Sequence, residues 1–487
     1  METKTIFEKS VSGRKGYTLP KCEIEQNIEN LFPQTILRKN TPNLPEVSEF
    51  DVMRHYIELS SKNHFIEKGF YPLGSCTMKY NPKINDIVNT LPGLTSLHPY
   101  QPEDTVQGAL QIIYELQQEL AKIAGMKAVS LQPVAGAHGE YTGTNIIYHY
   151  HKLRGNKKTK IIMPDSAHGT NPATSALHGY DVVEIPSDSE GKVDIKKLRE
   201  AIDDEVAGFM LTNPNTLGVF ETNVQEISKL IHSVDGLMYM DGANLNAMLG
   251  YICPGAMGFD IVHFNLHKTF STPHGGGGPG GGALGVVEKL VDFLPVPQVN
   301  KKEDKFFLDY AIPHSIGKVH SFYGNFIVTA RAYIYLWMLG GEGLRRVAEN
   351  AVINANYLMH KLKDIYPVPH QKDVMHEFVA SGEPIRKYGV KTLDIAKRLL
   401  DFGVHAPTIY FPLIVKEALM IEPTDTESKE TIDYFVQVMK KIAEEAEKEP
   451  EKLKNAPFNT PVRRLDEVYA IKNLDIRFTF KEDRDEV

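Results

Sequence analysis

The sequence predicts an α/β fold built on a mostly parallel, doubly wound sheet. An amphipathic helical pattern over residues 105–125 ends at Gly125 and opens a domain. Short apolar runs then alternate with helical stretches, which is typical of repeated βαβ units. The predicted strands are KIIMP (160–164), DVVEIP (181–186), AGFMLT (207–212), LMYMD (237–241), DIVHFN (260–265) and ALGVVE (283–288).

The predicted helices between these strands include residues 194–202 and 225–234. A long apolar helix over 326–339 carries the only tryptophan, Trp337, and leads out of the large domain. Beyond it, a strand over 408–415 and amphipathic helices over 351–363 and 429–447 indicate a smaller α+β domain.

The sequence predicts three segments along the chain. Residues 1–100 are rich in turn residues and have few long periodic stretches, so we expect an extended arm with one or two helices, such as 48–60. Residues 101–340 form the large domain, and residues 341–487 form the small C-terminal domain.

Charge, cysteine spacing and hydropathy indicate which partners, metals and compartments are expected. The formal charge is -8 without a basic block, so a nucleic-acid partner is not expected. Cys22, Cys76 and Cys253 show no zinc-binding spacing, and their odd number argues against a disulfide framework. His149 and His151 would point in different directions on a helix, so no metal site is predicted. With no apolar run near 18 residues, the sequence predicts a cytoplasmic protein that does not enter a membrane.

Polar residues follow several predicted strands, where ligands bind in open parallel sheets. Lys268 follows one strand and is flanked by apolar side chains, whose desolvating effect favours a neutral amine that can attack a carbonyl. The alternative is a surface lysine that extends from a strand end into solvent. Asp241 follows the apolar run LMYM. If its carboxylate is buried, it needs a cationic partner such as a pyridinium nitrogen. The alternative is that Asp241 is a helix N-cap.

Two segments have the small residues that a phosphate site requires. Ala135, Gly136 and Ala137 open a helical stretch, and residues 275–282 include seven glycines. A glycine cluster is equally often a flexible loop. His168 could lie flat on an aromatic cofactor with Ala243 behind the opposite face, although a lone loop histidine is more often a surface residue.

Several motifs resemble the glycine decarboxylase P-proteins of the glycine cleavage system. They cover nearly the whole chain and are YPLGSCTMKYNPK (71–83), LQPVAGAHGEYTG (131–143), MPDSAHGTNPATSA (163–176), LTNPNTLGVFE (211–221), YMDGANLNA (239–247) and HFNLHKTFSTPHGGGGPG (263–280). The resemblance implies the aspartate-aminotransferase-like type I fold of pyridoxal 5′-phosphate enzymes. It also implies that the chain is the subunit that resembles the C-terminal half of the one-chain members.

The resemblance also implies roles for individual residues. Lys268 would bind the cofactor covalently, Asp241 would pair with its ring nitrogen, and His168 would stack on its ring. Ala135, Gly136 and Ala137 would approach the cofactor phosphate, helped by His267. Thr212 and Asn213 would bond the ring oxygen of the cofactor or the substrate carboxylate. The glycine pocket would be covered by Ser75, Cys76 and Lys79, although Cys76 is more readily explained as a small packed residue.

The implied reaction releases CO2 from glycine and passes the aminomethyl group to the lipoyl arm of H-protein. A P-protein subunit 1 is the expected partner, in an α2β2 assembly. Two alternatives remain open at this point. One is another pyridoxal phosphate enzyme of the same fold, and the other is a non-catalytic subunit that binds a nucleotide phosphate through the glycine run.

Overall fold

The computed structural model describes residues 3–18, 20, 23–24, 27–40, 42–274, 280–369 and 373–476. Cys22 and most of the glycine run, residues 275–279, lie outside the described residues. The chain divides into two units, Met1–Phe65 and Ile66–Val487. The three-segment division with boundaries near 100 and 340 stays a prediction.

The first unit contains α1 (Glu49–Ser61), which confirms the predicted helix at 48–60. The Ser48 side chain accepts from the Asp51 N–H, and the Asp51 carboxylate accepts from the Ser48 N–H. This reciprocal pair satisfies two amides that have no intrahelical acceptor. Short 3-10 helices occupy Phe7–Lys9 and Ile28–Asn30.

The second unit is built on a seven-stranded sheet. Its strands are β1 (Ala128–Ser130), β2 (Lys160–Pro164), β3 (Asp181–Ile185), β4 (Val206–Thr212), β5 (Leu237–Gly242), β6 (Ile261–Asn265) and β7 (Gly282–Val286). The order is β1-β7-β6-β5-β4-β2-β3, and every neighbouring pair from β6 to β3 is parallel. β7 runs antiparallel to β6 and β1. The six predicted runs are confirmed as β2 to β7, whereas β1 was not predicted.

Alternate residues of β5 show that both faces of this sheet are covered. Met238 and Met240 belong to the apolar core on one face, and Leu237 and Tyr239 belong to the core on the other. All four side chains are fully buried. A mostly parallel sheet with two covered faces is the doubly wound arrangement, so the predicted fold class is confirmed.

Helices flank the sheet and form much of the C-terminal part. They are α2 (Pro92–Thr95), α3 (Gln107–Ala124), α4 (Gly136–Leu153), α5 (Thr170–Leu177), α6 (Ile195–Ala201), α7 (Val224–His232), α8 (Pro254–Met257), α9 (Phe326–Leu362), α10 (Thr392–Leu400), α11 (Lys429–Lys448), α12 (Pro450–Asn455) and α13 (Glu467–Lys472). Short 3-10 helices occupy Lys83–Thr90, Glu103–Thr105, Leu245–Ala247, Glu288–Phe293 and Glu383–Tyr388.

Two glycines explain where helical segments end. Gly125 adopts a left-handed conformation with φ 65° and ends α3 as predicted. Gly340, with φ 60°, kinks α9 at the predicted end of the helix over 326–339. Gly340 is itself not helical, so α9 consists of two helical parts, one that ends where the helix over 326–339 was predicted to end and one that contains the helix predicted over 351–363.

Two small antiparallel sheets complete the second unit. β8 (Gln298–Lys302) pairs with β9 (Lys305–Asp309), and β12 (Ala418–Ile421) lies between β10 (Phe378–Ser381) and β11 (Thr408–Ile409). The strand predicted over 408–415 is wrong beyond Ile409, because the chain turns at Pro412, which has no N–H to donate. A separate apolar core, which begins at Ala355 along the C-terminal part, packs around this three-stranded sheet.

Among the described residues, no helix is both long enough and apolar enough to span a membrane.

Candidate active site

A cavity of about 170 Å³ lies at the carboxyl ends of β4, β5 and β6. It brings together residues that are distant in sequence, as expected at the ligand-binding edge of an open α/β sheet. The predicted site residues that line it are Ser75, Gly136, Ala137, His168, Thr212, Asp241, Ala243, His267 and Lys268. The lining residues that the sequence did not single out as site residues are Glu140, Thr170, Thr216, Asn244, His263 and Asn265.

Lys268 lies in the turn after β6, and its side chain lines the cavity. Its backbone N–H donates to the Asn265 carbonyl at 3.0 Å, which fixes the turn. The neighbouring Leu266 and Phe270 are fully buried, whereas Lys268 itself is half-buried. The amine is therefore placed beside the cavity on a turn anchored by buried apolar side chains.

Asp241, near the end of β5, is 3% exposed. Its Oδ1 accepts the Ala243 N–H at 2.9 Å and lies 3.2 Å from Nε2 of His263. Burial alone would raise its pKa, but His263, the Ala243 N–H and Lys268 together hold the pKa of Asp241 below its ordinary value. The alternative that Asp241 is a helix N-cap is wrong, because the 3-10 helix that follows begins after Asn244.

Glu140 lies in α4 and presents a second carboxyl group to the cavity. Its Oε1 accepts the Thr170 hydroxyl at 2.9 Å. Burial and the nearby Asp241 raise the pKa of Glu140 to about 8, which favours the protonated form of this carboxyl group at neutral pH. The pKa values of the two carboxyl groups in the cavity are therefore shifted in opposite directions.

The N-terminus of α4 faces the cavity through Gly136 and Ala137. First-turn amides have no intrahelical acceptor and favour an anion. A Cβ at Gly136 would lie 2.5 Å from Oδ1 of Asn265, so any larger residue there would have to displace the Asn265 amide. Ala135 is the N-cap residue but does not line the cavity.

His267 and His168 line the cavity in neutral form. Burial, with His274 and Lys268 nearby, lowers the pKa of His267 to about 4, and its Nδ1 lies 3.0 Å from the Gly281 carbonyl oxygen. His168 is exposed, but partial desolvation at the cavity lowers its pKa, and its Nδ1 lies 2.9 Å from the Thr170 hydroxyl. Stacking of His168 on a cofactor ring, with Ala243 behind it, stays a prediction.

The YPLGSCTMKY segment reaches the cavity through Ser75, and two buried glutamates fix its position. The Ser75 N–H donates to Oε2 of Glu377 at 2.8 Å, and the Thr77 N–H donates to Oε2 of Glu422 at 2.9 Å. Asn244, which lines the cavity, donates to Oε1 of Glu377 at 3.1 Å. Burial and the charge of Glu422 raise the pKa of Glu377 well above its ordinary value.

Besides Ala135, three predicted site residues do not line the cavity. The Asn213 amide bonds the backbone of Glu221, with its Oδ1 accepting the Glu221 N–H at 3.0 Å. The Lys79 ammonium donates to Asn246 at 2.9 Å and to the Tyr335 hydroxyl at 3.0 Å.

Cys76 is the third, and burial raises the pKa of its thiol, which fits the interpretation as a packed residue. The structure places Asn213, Cys76 and Lys79 outside the cavity lining, and their direct ligand contacts stay predictions. Two of these side chains are engaged within the protein, and the third is largely buried.

Comparisons with known proteins agree with this architecture. The family described as "Glycine cleavage system P-protein" matches residues 17–306, and "Glycine dehydrogenase, C-terminal domain" matches residues 347–461. A protein of Chloroherpeton thalassium named "Probable glycine dehydrogenase (decarboxylating) subunit 2" is 59% identical over 487 residues, 99% of each chain. A protein of the same name from Caldanaerobacter subterraneus subsp. tengcongensis is 60% identical over 476 residues, 97% of this chain and 98% of that one.

Two solved structures have the same fold at low sequence identity. A glycine decarboxylase (P-protein) of the glycine cleavage system, in inhibitor-bound form, has a TM-score of 0.71 at 21% identity and covers 85% of this chain and 94% of that one. A sphingosine-1-phosphate lyase of Burkholderia pseudomallei has a TM-score of 0.62 at 16% identity, with 90% and 95% covered. The predicted type I fold is thereby confirmed, and the family match and the identities show that the chain belongs to the glycine cleavage system P-protein family.

Proposed function

We propose that this chain is the catalytic subunit of a glycine decarboxylase and that it binds pyridoxal 5′-phosphate through Lys268. The observation that carries the proposal is the convergence of Lys268, Asp241 and the N-terminus of α4 on one cavity. An amine, an ionised carboxylate and an anion-binding helix end match the carbonyl, the ring nitrogen and the phosphate of this cofactor.

Unpaired polar atoms in the cavity support the fit. The Thr212 hydroxyl and Oδ1 of Asn265 are buried and have no hydrogen-bond partner. Buried polar atoms are seldom left unpaired, because each costs free energy comparable to a lost hydrogen bond. Both residues line the cavity, where a polar ligand would satisfy them.

When bound, the cofactor supplies an electron sink for the electron pair that stays on the glycine α-carbon as CO2 leaves. The ionised Asp241 would hold a proton on the ring nitrogen, which strengthens that sink. Lys268 would hold the cofactor through Nζ. The first-turn amides of α4 would donate hydrogen bonds to the phosphate. His267 is neutral, so it would add no positive charge to this phosphate site.

Glycine has no side chain that a pocket could grip, so selectivity must come from a small space and from recognition of the carboxylate. The cavity is small, and Ser75 closes one side of it on the loop tied to Glu377. Thr212 is the nearest candidate on β4 for a hydrogen bond to the cofactor or the substrate. Asn213, the next residue, is engaged elsewhere.

The rest of the reaction is inferred from the family. Relatives that match nearly the whole chain are named subunit 2, which supports a partner subunit 1, and an α2β2 assembly fits that pairing. Transfer of the aminomethyl group to the lipoyl arm of H-protein is supported by the family description, which names the glycine cleavage system. A cytoplasmic location remains our inference from the sequence.

Both alternatives from the sequence lose support. Other pyridoxal phosphate enzymes of this fold would share Lys268 and Asp241, but the family match covers more than half of the chain. A nucleotide-binding scaffold would leave unexplained why an amine and a carboxylate share the cavity with the helix end.

Borohydride reduction of the protein purified with its cofactor, followed by peptide mapping, tests the proposal. We expect a phosphopyridoxyl group on Lys268 alone and none in a Lys268→Ala variant. Lys79 is the internal control, because its ammonium is buried and already bonded to Asn246 and Tyr335. An unmodified Lys268 in protein that contains the cofactor would contradict the assignment.

A further inference from the structure

Asp241 is in contact with a pair of buried side chains, His263 and Tyr239, that were not predicted as site residues. Nε2 of His263 lies 3.2 Å from Oδ1 of Asp241, and Nδ1 of the same ring lies 2.7 Å from the Tyr239 hydroxyl. Tyr239 is fully buried, and His263 is 1% exposed. The three side chains form a continuous line from the core of the sheet to the cavity.

The strand geometry produces this alignment. In the parallel pair β5 and β6, Asp241 and His263 are register partners, so their side chains lie side by side. Tyr239 lies two residues before Asp241, which places both side chains on the same face of β5.

Two glycines of α4 leave the space for this line of side chains. A Cβ at Gly139 would lie 2.9 Å from Cβ of His263, and a Cβ at Gly143 would lie 2.3 Å from Cε2 of Tyr239. Any larger residue at Gly143 would displace the tyrosine ring. The helix backbone therefore packs directly on both side chains and restricts their rotamers.

The charge of Asp241 and the Tyr239 hydroxyl together select the tautomer of His263. Nε2 of His263 lies 3.2 Å from Oδ1 of the ionised Asp241, and a proton on Nε2 places the positive end of an N–H dipole beside that charge. Burial keeps His263 neutral by lowering its pKa, with Lys268 acting in the same direction and Asp241 opposing it. Nδ1 is then an acceptor, and the Tyr239 hydroxyl donates to it, which selects this tautomer.

We propose that His263 and Tyr239 are positioning residues that hold Asp241 ionised and oriented toward the ring nitrogen of the cofactor. The inference rests on the proposed function and deepens it. His263 also lines the cavity, but its ring contacts the charged Asp241 on one side and the Tyr239 hydroxyl on the other, so Tyr239 acts on Asp241 through His263. Their contribution should therefore depend on whether the cofactor has a ring nitrogen.

The experiment compares two ligands on the full chain. Pyridoxal 5′-phosphate and its carbocyclic analogue, in which carbon replaces the ring nitrogen, are titrated into cofactor-free wild type, His263→Leu, His263→Gln and Tyr239→Phe. We expect His263→Leu to bind pyridoxal phosphate about ten- to a hundredfold more weakly and to lose much less affinity for the analogue, because the variant removes the buried polar contact with the charged Asp241 that faces the ring nitrogen. His263→Gln keeps an N–H donor and should recover most of the affinity, and Tyr239→Phe should lie between.

A second measurement separates positioning from general structure. In the assembled enzyme, His263→Leu should lower kcat with pyridoxal phosphate and leave the KM for glycine nearly unchanged. Equal losses of affinity for both ligands, or no loss for either, would overturn the inference. If His263→Leu does not fold, the same comparison on Tyr239→Phe decides. A wild-type chain that binds pyridoxal phosphate at no site would instead refute the proposed function, and with it this inference.

Discussion

Replacing Gly143 with alanine tests how tightly α4 packs on the buried tyrosine of β5. The new Cβ would lie 2.3 Å from Cε2 and 3.0 Å from Cδ2 of Tyr239, and 3.3 Å from Cγ2 of Ile261. Overpacking of this kind costs about 1–3 kcal/mol, and the shortest contact places Gly143→Ala near the upper end. Alanine returns about 1 kcal/mol through its higher helix propensity. The expected net loss is roughly 2 kcal/mol.

Gly108→Ala is the matched control. Gly108 lies in α3, is exposed, and a Cβ there would meet nothing within 4 Å. Only the propensity gain applies, so its stability should rise by up to about 1 kcal/mol. Urea unfolding of the cofactor-free protein, followed by circular dichroism, compares both variants with wild type. If Gly143→Ala is as stable as wild type or follows Gly108→Ala, the packing argument is refuted.

Three further predictions concern the buried polar groups. The raised pKa of Glu140 means that the folded state binds the proton of this carboxyl group more tightly than the unfolded state does. The free energy of unfolding of wild type should therefore fall as pH rises from about 4.5 to about 8. In urea titrations, Glu140→Gln should lose less stability across that range. Lys79→Met should destabilise the protein by about 3–5 kcal/mol, because it leaves the carboxylate of Asp425 buried without its cation. A loss below about 1 kcal/mol in urea unfolding would count against this ion pair. Thr212→Val should leave the cofactor-free protein nearly as stable as wild type, because the Thr212 hydroxyl has no hydrogen-bond partner within the protein. The same change should weaken pyridoxal phosphate binding by about three- to tenfold in a titration. Unchanged affinity would exclude Thr212 from the cofactor contacts.

The strands of the large sheet could be predicted because burial on both faces leaves long apolar runs in the sequence. β1 and β10 were missed because each is only three or four residues long, too short for a period to show. The predicted strand over 408–415 failed at Pro412, where the missing N–H prevents pairing.

Lys268 and Asp241 could be predicted to lie at the cavity because each lies at or just beyond the carboxyl end of a strand. Asn213 also follows a strand, but its amide bonds the backbone of Glu221, a contact that strand position alone does not reveal. Lys79 is paired with residues about 250 and 350 positions away in sequence, which no local pattern encodes.

Two of the residues that sequence reasoning missed lie inside secondary structure. Glu140 lies in the first turns of α4, and His263 lies within the run DIVHFN. A histidine inside an otherwise apolar strand was a usable signal, because a buried polar side chain requires a partner. That partner, Asp241, became visible only with the register of β5 and β6.

Exchange of labelled bicarbonate into the carboxyl group of glycine tests the central claim most directly. The account predicts exchange when this chain is combined with pyridoxal phosphate, a P-protein subunit 1 and lipoylated H-protein. It predicts none when H-protein lacks its lipoyl group, and none with Lys268→Ala. Exchange that persists in the Lys268→Ala assembly, or its absence from the complete wild-type assembly, would contradict the account.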